Sequence, residues 1–276
     1  MIATRSKPGV CAYGGSESPP VGLIAAGRLS FFLALVAVLL LPARGGAQLV
    51  DTIARVKPSV VAIGTYERTR SPAFRFLATG FVIADGNTAV TNAHAVPVSV
   101  DTEKFERLVI AVPAGDGMGQ IRNTERTAQD DEHDLAVLRF EGPPLATLEL
   151  ADDAALPEGS EVAFTGFPIG SALGLAPVTH RGIVSAWTPI SIPQGNARRL
   201  DPKMVRSLSA PFRVYQLDAT AYPGNSGSPL YDARSGEVVG IINMVFVKST
   251  KENVLSDPSG ITYAIPVRYL RALLAR

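Results

Sequence analysis

The sequence predicts an all-β fold of antiparallel strands, closed as a barrel or packed as a sandwich. Three observations carry this. Short runs rich in Val, Ile and aromatic residues recur along most of the chain, and Gly, Asn and Asp interrupt them at close intervals. Helical periodicity is confined to two short segments, so the strand–helix alternation of a parallel sheet is missing.

In chain order, residues 1–47 read as a secretory signal outside the fold. Leu29 to Leu41 is a 13-residue apolar run after Arg28, followed by Pro42 and the small residues Gly45, Gly46 and Ala47. A membrane-spanning helix needs roughly 20 apolar residues, so the run suits a signal h-region better than an anchor, with an uncleaved anchor as the alternative. Gly45 and Ala47 form a small-x-small cleavage pattern that places the mature start near Gln48. The stretch before Arg28 is long for an n-region, which points to a start codon downstream of Met1. Cys11, the single cysteine, would leave with the signal, suiting an oxidising compartment.

Residues 48–276 then form the folded part, without repeats, as one domain or two packed halves that divide near 150–180. Expected strands are Val60 to Tyr66, Gly80 to Ile83, Thr88 to Thr91, Leu108 to Val112, Leu135 to Phe140, Glu161 to Thr165, Gly182 to Trp187 and Val214 to Asp218. A hairpin of Pro229 to Tyr231 and Val238 to Val245 follows, and Ile261 to Ile265 comes last. Helix is expected at Leu49 to Val56 and at Pro266 to Arg276, where Val267, Leu270, Leu273 and Leu274 share one face. The long connection Thr188 to Phe212 carries Arg198, Arg199, Lys203 and Arg206, which read as a solvated surface or as a regulatory, partner-contacting loop.

Charge and composition remove several functions. With 26 Lys+Arg against 25 Asp+Glu the chain has no basic excess for a phosphate backbone, so nucleic acid is not an expected partner. One Cys and three His exclude a Cys-rich zinc module, and neither a metal nor another cofactor is expected.

Chemistry is left to the histidines and one serine. His94 follows an apolar strand within Thr91-Asn92-Ala93-His94. Ser226 lies in Tyr222-Pro223-Gly224-Asn225-Ser226-Gly227-Ser228-Pro229, a segment suited to a tight turn that converges backbone N–H groups on one spot, as an oxyanion requires. Asp134 starts an apolar strand, either as a solvated strand cap or as the buried orienter of an imidazole. All the histidines precede Ser226, which excludes the Ser–acid–His order of α/β-hydrolases. A subtilisin order could draw on Asp51 or Asp85 but needs an α/β chain. His, Asp, Ser on a β-rich chain is the order that remains.

Thr79-Gly80-Phe81-Val82-Ile83, Thr91 to Val96, Asp134-Leu135-Ala136-Val137-Leu138, Gly224 to Pro229 and Gly260 to Pro266 together resemble trypsin-like serine peptidases of the HtrA/Deg type. The match runs in register from about Leu49 to Pro266. It implies a chymotrypsin-like double β-barrel with a short C-terminal helix, and serine endopeptidase activity on exported or misfolded polypeptides in the periplasm or outside the cell. His94, Asp134 and Ser226 take the catalytic roles. The oxyanion hole falls on Gly224, Asn225 and Ser226, with the N–H groups of Gly224 and Ser226 as donors. At Asn225 digestive relatives carry an Asp that pairs with a newly cut N-terminus, so no such activation is expected. The pocket for the residue before the cut falls at Thr220, with Asn243, Met244 and Ile265 as walls, and lacks a carboxylate, which implies small or medium apolar side chains. HtrA-type proteins usually continue into a PDZ domain and commonly form trimers on N-terminal contacts. Here the motifs pass into one helix, so PDZ-mediated capture is not carried over, while Leu49 to Val56 could serve a trimer. Ser228 replaces the usual second glycine.

Other readings stay open. The fold could serve as a latent peptide-binding chaperone, as an envelope sensor switched by the 188–212 loop, or as an esterase. His133 is expected as a solvated rim residue, His180 as exposed, and Asp131 and Glu132 as a solvated turn. A membrane is expected to matter only through an uncleaved N-terminal segment.

Overall fold

Strand β1 (Val60–Tyr66) is buried on both faces except at its last residue, and its neighbours explain why. Val61 and Ile63 point into a cluster with Val82, Ala89, Ile110, Ala136 and Leu138. Val60 and Ala62 point the other way, into a second cluster that also holds Ala163, Tyr231, Ile241 and Ile265. A strand's side chains alternate between faces, so a continuous apolar run is the signature of a strand sandwiched between two cores. The first cluster is the interior of one barrel; the second is shared between two.

The computed structural model describes Gly9 and residues 45–114, 117–170, 174–190, 212–243 and 261–276. After β1 come β2 (Phe74–Ile83), β3 (Thr88–Thr91), β4 (Arg107–Ala114), β5 (Gly117–Asp130) and β6 (Leu135–Phe140). They close as β1-β2-β3-β6-β5-β4. The second set is β7 (Glu161–Gly166), β8 (Val178–Pro189), β9 (Arg213–Asp218), β10 (Pro229–Asp232), β11 (Val238–Asn243) and β12 (Ile261–Pro266), closed as β10-β11-β12-β9-β8-β7. Neighbouring strands within each barrel pair antiparallel. Closure removes the exposed edges that an open sheet would leave. The double barrel implied by the resemblance is therefore present.

The barrels are joined through residues 141–160, between the end of β6 and the start of β7. This connection is hydrogen-bonded to both sides: the Leu148 N–H donates to Val82 O, and Ala151 and Val238 N–H groups bond to Val238 and Glu149 carbonyls. β5 is a strand that the hydrophobic pattern missed. Its residues Arg122, Thr124, Arg126 and Ala128 alternate with exposed ones but are only half-buried. The strand exists because β4 and β6 offer it two ladders.

Helix α1 (Gly45–Val56) begins slightly ahead of the expected Gln48 boundary. It docks through buried Thr52 and Val56, with Thr52 Oγ1 donating to Arg234 O at 3.1 Å on the β10–β11 turn. Helix α2 (Val267–Leu274) buries Val267, Leu270 and Leu273, while Leu274 is 43% exposed. Among the described residues no helix is long and apolar enough to cross a membrane. The 1–44 part of the signal reading, Cys11, and residues 191–211 of the long loop lie outside the described residues, apart from Gly9.

Candidate active site

β3 ends at Thr91, and the chain turns through a 3-10 segment, Ala93–Ala95, that carries His94. Asp134 sits across from it, one residue before β6, with φ at +53°. That left-handed conformation is tolerated by Asp better than by most side chains, and here four contacts to the 92–94 segment hold it. The Asp134 carbonyl accepts the Ala93 N–H and the Asn92 Nδ2, each at 3.1 Å. Its Oδ1 accepts the His94 N–H at 2.8 Å, and its Oδ2 meets His94 Nδ1 at 2.6 Å. A carboxylate oxygen accepts, so Nδ1 carries a proton, and in the neutral ring Nε2 is the nitrogen with the lone pair. The imidazole is 36% exposed and Asp134 17%. The two groups are thus paired, oriented and reachable.

The Ser226 turn is docked onto the first barrel by Thr79, a fully buried residue of β2. Thr79 Oγ1 donates to Gly224 O at 2.7 Å and accepts the Phe167 N–H at 3.0 Å, while its backbone N–H donates to Ser226 O at 3.0 Å. Gly227 (φ +83°) lies so near the same wall that a Cβ there would stand 2.1 Å from Thr79 O and 2.3 Å from Thr91 Oγ1. Ser226 is thereby held beside Thr91, on the segment that leads to His94. It is 8% exposed. Among the described residues no hydrogen bond joins its Oγ to the imidazole, a contact that often tightens only with substrate bound.

The peptide planes decide which way the N–H groups of the turn point. Carbonyl and N–H of one trans peptide point in opposite directions. Pro223 O accepts the Ile169 N–H at 2.6 Å, which turns the Gly224 N–H away from the 167–170 segment. Gly224 has φ +104°, and a Cβ would lie 2.3 Å from Phe167 O. The Asn225 N–H is spent inside the turn on Tyr222 O at 3.0 Å. The Asn225 side chain is fully buried with neither polar atom bonded.

The expected pocket walls separate. Thr220 is half-buried, between buried Ala219 and Ala221. Asn243 is no wall: it is fully buried and its Nδ2 donates to Asp134 Oδ2 at 2.6 Å. Ile265 is no wall either, being fully buried in the shared core with Ile241 and Leu270. Met244 lies outside the described residues.

Both remaining histidines differ from expectation. His180 is half-buried, stacked on Phe164 with centroids 4.9 Å apart; its Nε2 is buried and unpaired, and burial lowers its pKa. β8 pairs it with Phe164 on one side of the sheet, which brought it inward. His133 is 14% exposed rather than solvated, because Asp130 sits three residues back on the same turn and accepts its Nδ1–H at 3.0 Å. Asp131 and Glu132 are exposed as expected.

Thr79, Asn92 and Asp130 were missed as site residues. Thr79 and Asn92 stand in the quoted motifs, but nothing local tells a polar strand residue that docks a turn from one that faces solvent.

A family model described as "Trypsin-like peptidase domain" matches residues 78–241. A probable periplasmic serine endoprotease, DegP-like, of Halomonas elongata is 31% identical over 193 residues, 70% of this chain and 33% of that one. The mitochondrial serine protease HTRA2 of Bos taurus is 32% identical over 202 residues, 71% of this chain and 35% of that one. The chain spans about a third of the length of these relatives. A serine endoprotease from Yersinia pestis superposes with a TM-score of 0.56 at 23% identity, over 82% of this chain and 65% of that one, a likeness in fold.

Proposed function

The chain belongs to the trypsin-like peptidase family, and from that premise we propose that it is a serine endopeptidase cleaving exported or misfolded polypeptides through Ser226, His94 and Asp134. The observation that carries the proposal is the 2.6 Å pairing of His94 Nδ1 with Asp134 Oδ2, which leaves Nε2 as the ring nitrogen that can take a proton.

In the proposed reaction Ser226 Oγ attacks the peptide carbonyl and its proton passes to His94 Nε2. Asp134 stabilises the imidazolium, and the Gly224 and Ser226 N–H groups bind the oxyanion, each donor being worth roughly 3–4 kcal/mol where such donors have been removed. Collapse expels the amine, which takes the proton from His94, and water repeats the cycle to free Ser226. Thr220 supplies no carboxylate, so the side chain before the cut is small or medium and apolar; efficient cleavage after Arg in a peptide library would overturn this. Relatives described as periplasmic support a periplasmic or secreted location.

The test is labelling of the full chain with a fluorophosphonate probe beside Ser226→Ala and His94→Ala, followed by digestion of unfolded casein. Labelling and cleavage that vanish together in both variants support the proposal. A folded wild-type protein that neither labels nor cuts sinks it, and peptide titration would then separate a latent binder from an inert scaffold.

A further inference from the structure

The residue before Asp134 is also a histidine, and it is clasped on every side. His133 Nδ1 donates to Asp130 Oδ2 at 3.0 Å. Asp130, with a side chain only 5% exposed, also takes the N–H groups of Glu132 and His133 on Oδ1, each at 3.1 Å. Burial raises its pKa, but the bonds from His133 outweigh that and hold the carboxyl below its ordinary value. The His133 ring lies flat on Tyr269 of α2, with centroids 4.1 Å apart at 18°. Phe212, which leads into β9, meets the two rings edge-on at 4.9 and 5.4 Å. Arg276 reaches Asp130 Oδ2 at 3.3 Å.

This clasp holds the turn that ends at Asp134, whose φ is +53°. A left-handed non-glycine residue persists only where its surroundings over-determine it. The bonds from Asn92, Ala93 and His94 hold Asp134 from the front; the Asp130–His133–Tyr269 stack holds the residues before it. Imidazole suits the position because one ring both donates to a buried carboxylate and stacks. A leucine could fill the space but would take the imidazole donor from Asp130 Oδ2, and an asparagine could donate but not stack.

We propose that His133 is a positioning residue: clasped by Asp130 and stacked on Tyr269, it holds Asp134 where its carboxylate reaches His94, and so couples helix α2 of the second barrel to the chemistry. The proposal rests on the triad reading above. It names a role for residues outside the triad and the substrate pocket.

The test uses the full chain with His133→Leu, His133→Asn and Tyr269→Leu. It measures kcat and KM on a peptide, the pH profile of kcat/KM, the downfield proton resonance of His94 Nδ1–H, and the melting temperature. In His133→Leu the expected result is a fall in kcat of about 10- to 100-fold, the scale of a misplaced catalytic group, with KM little changed. The acid limb of kcat/KM moves to lower pH, because a displaced carboxylate stabilises the imidazolium less, and the downfield resonance shifts or broadens. His133→Asn recovers most of kcat by restoring the donor, and Tyr269→Leu falls between. A folded His133→Leu with wild-type kcat, acid limb and resonance, altered only in melting temperature, overturns the proposal. If His133→Leu does not fold, an unchanged resonance and acid limb in Tyr269→Leu overturns it instead. Should wild-type protein neither label nor cleave, the peptidase reading fails, and the His94 resonance in the variants still decides whether His133 positions Asp134.

Discussion

Asn243 and Asp134 meet across the two barrels, with Nδ2 of the first donating to Oδ2 of the second at 2.6 Å. Asn243 ends β11, and the residue before it, Ile242, accepts the Gly227 N–H and donates to Ser228 O, each at 2.9 Å. One strand end therefore grips both the Ser226 turn and the carboxylate that faces His94.

Asn243→Ala removes a buried donor from a carboxylate and puts no replacement in reach. A hydrogen bond to a charged group contributes about 1.5–3 kcal/mol, so kcat/KM is expected to fall about 10- to 100-fold while the protein still melts cooperatively. Wild-type kinetics in a folded variant would mean that the contact is incidental.

Thr79→Val keeps the shape and removes the hydroxyl that bonds both Gly224 O and Phe167 N–H. Each buried group left unpaired costs about 1–3 kcal/mol. The melting temperature should drop, and labelling of Ser226 should drop further than the unfolded fraction explains. Thr79→Ser, which keeps the hydroxyl, should restore both.

Gly227→Ala pushes a methyl group to 2.1 Å from Thr79 O at a φ of +83°. Backbone gives way there, not a side-chain tip, so the turn must leave its dock. Loss of labelling with secondary structure intact, measured by circular dichroism, is the expected outcome; a variant that labels at the wild-type rate would refute this account of the turn.

The Thr65 hydroxyl and the Arg70 guanidinium hold the Glu106 carboxyl at about 2, well below its ordinary value. A carboxyl depressed in the folded state contributes stability above its unfolded pKa of about 4.3 and loses it as pH falls toward the folded value. Melting temperature should therefore decline between about pH 5 and 2, and the decline should be shallower in Glu106→Gln. Equal slopes in the two proteins would show that the Arg70 contact at 2.8 Å does not persist in solution.

Most of the strands were legible because their residues are apolar on both faces, as in β1 and β11, and that pattern needs no knowledge of partners. β5 was not, since Arg122, Thr124 and Arg126 take their places only when β4 and β6 are alongside. Within the site, the Gly/Pro turn around Ser226 and the order His94, Asp134, Ser226 could be read directly. The direction of a side chain could not. Asn243 read as a pocket wall, and its contact with Asp134 spans 109 residues of chain.

By itself the sequence determined the all-β class, the resemblance to HtrA-type peptidases and the positions at which chemistry was to be sought. These depend on residue type, spacing and order, all local or linear properties. Only the tertiary structure decided that Thr79 docks the Ser226 turn, that the Asn225 side chain is buried without a bonded partner, and that His133 is bound to Asp130 and Tyr269. Each of those is a hydrogen bond, a burial or a ring contact that exists only after two closed barrels, a connecting segment and a terminal helix have packed. The same polar residue in an unpaired segment would turn to water.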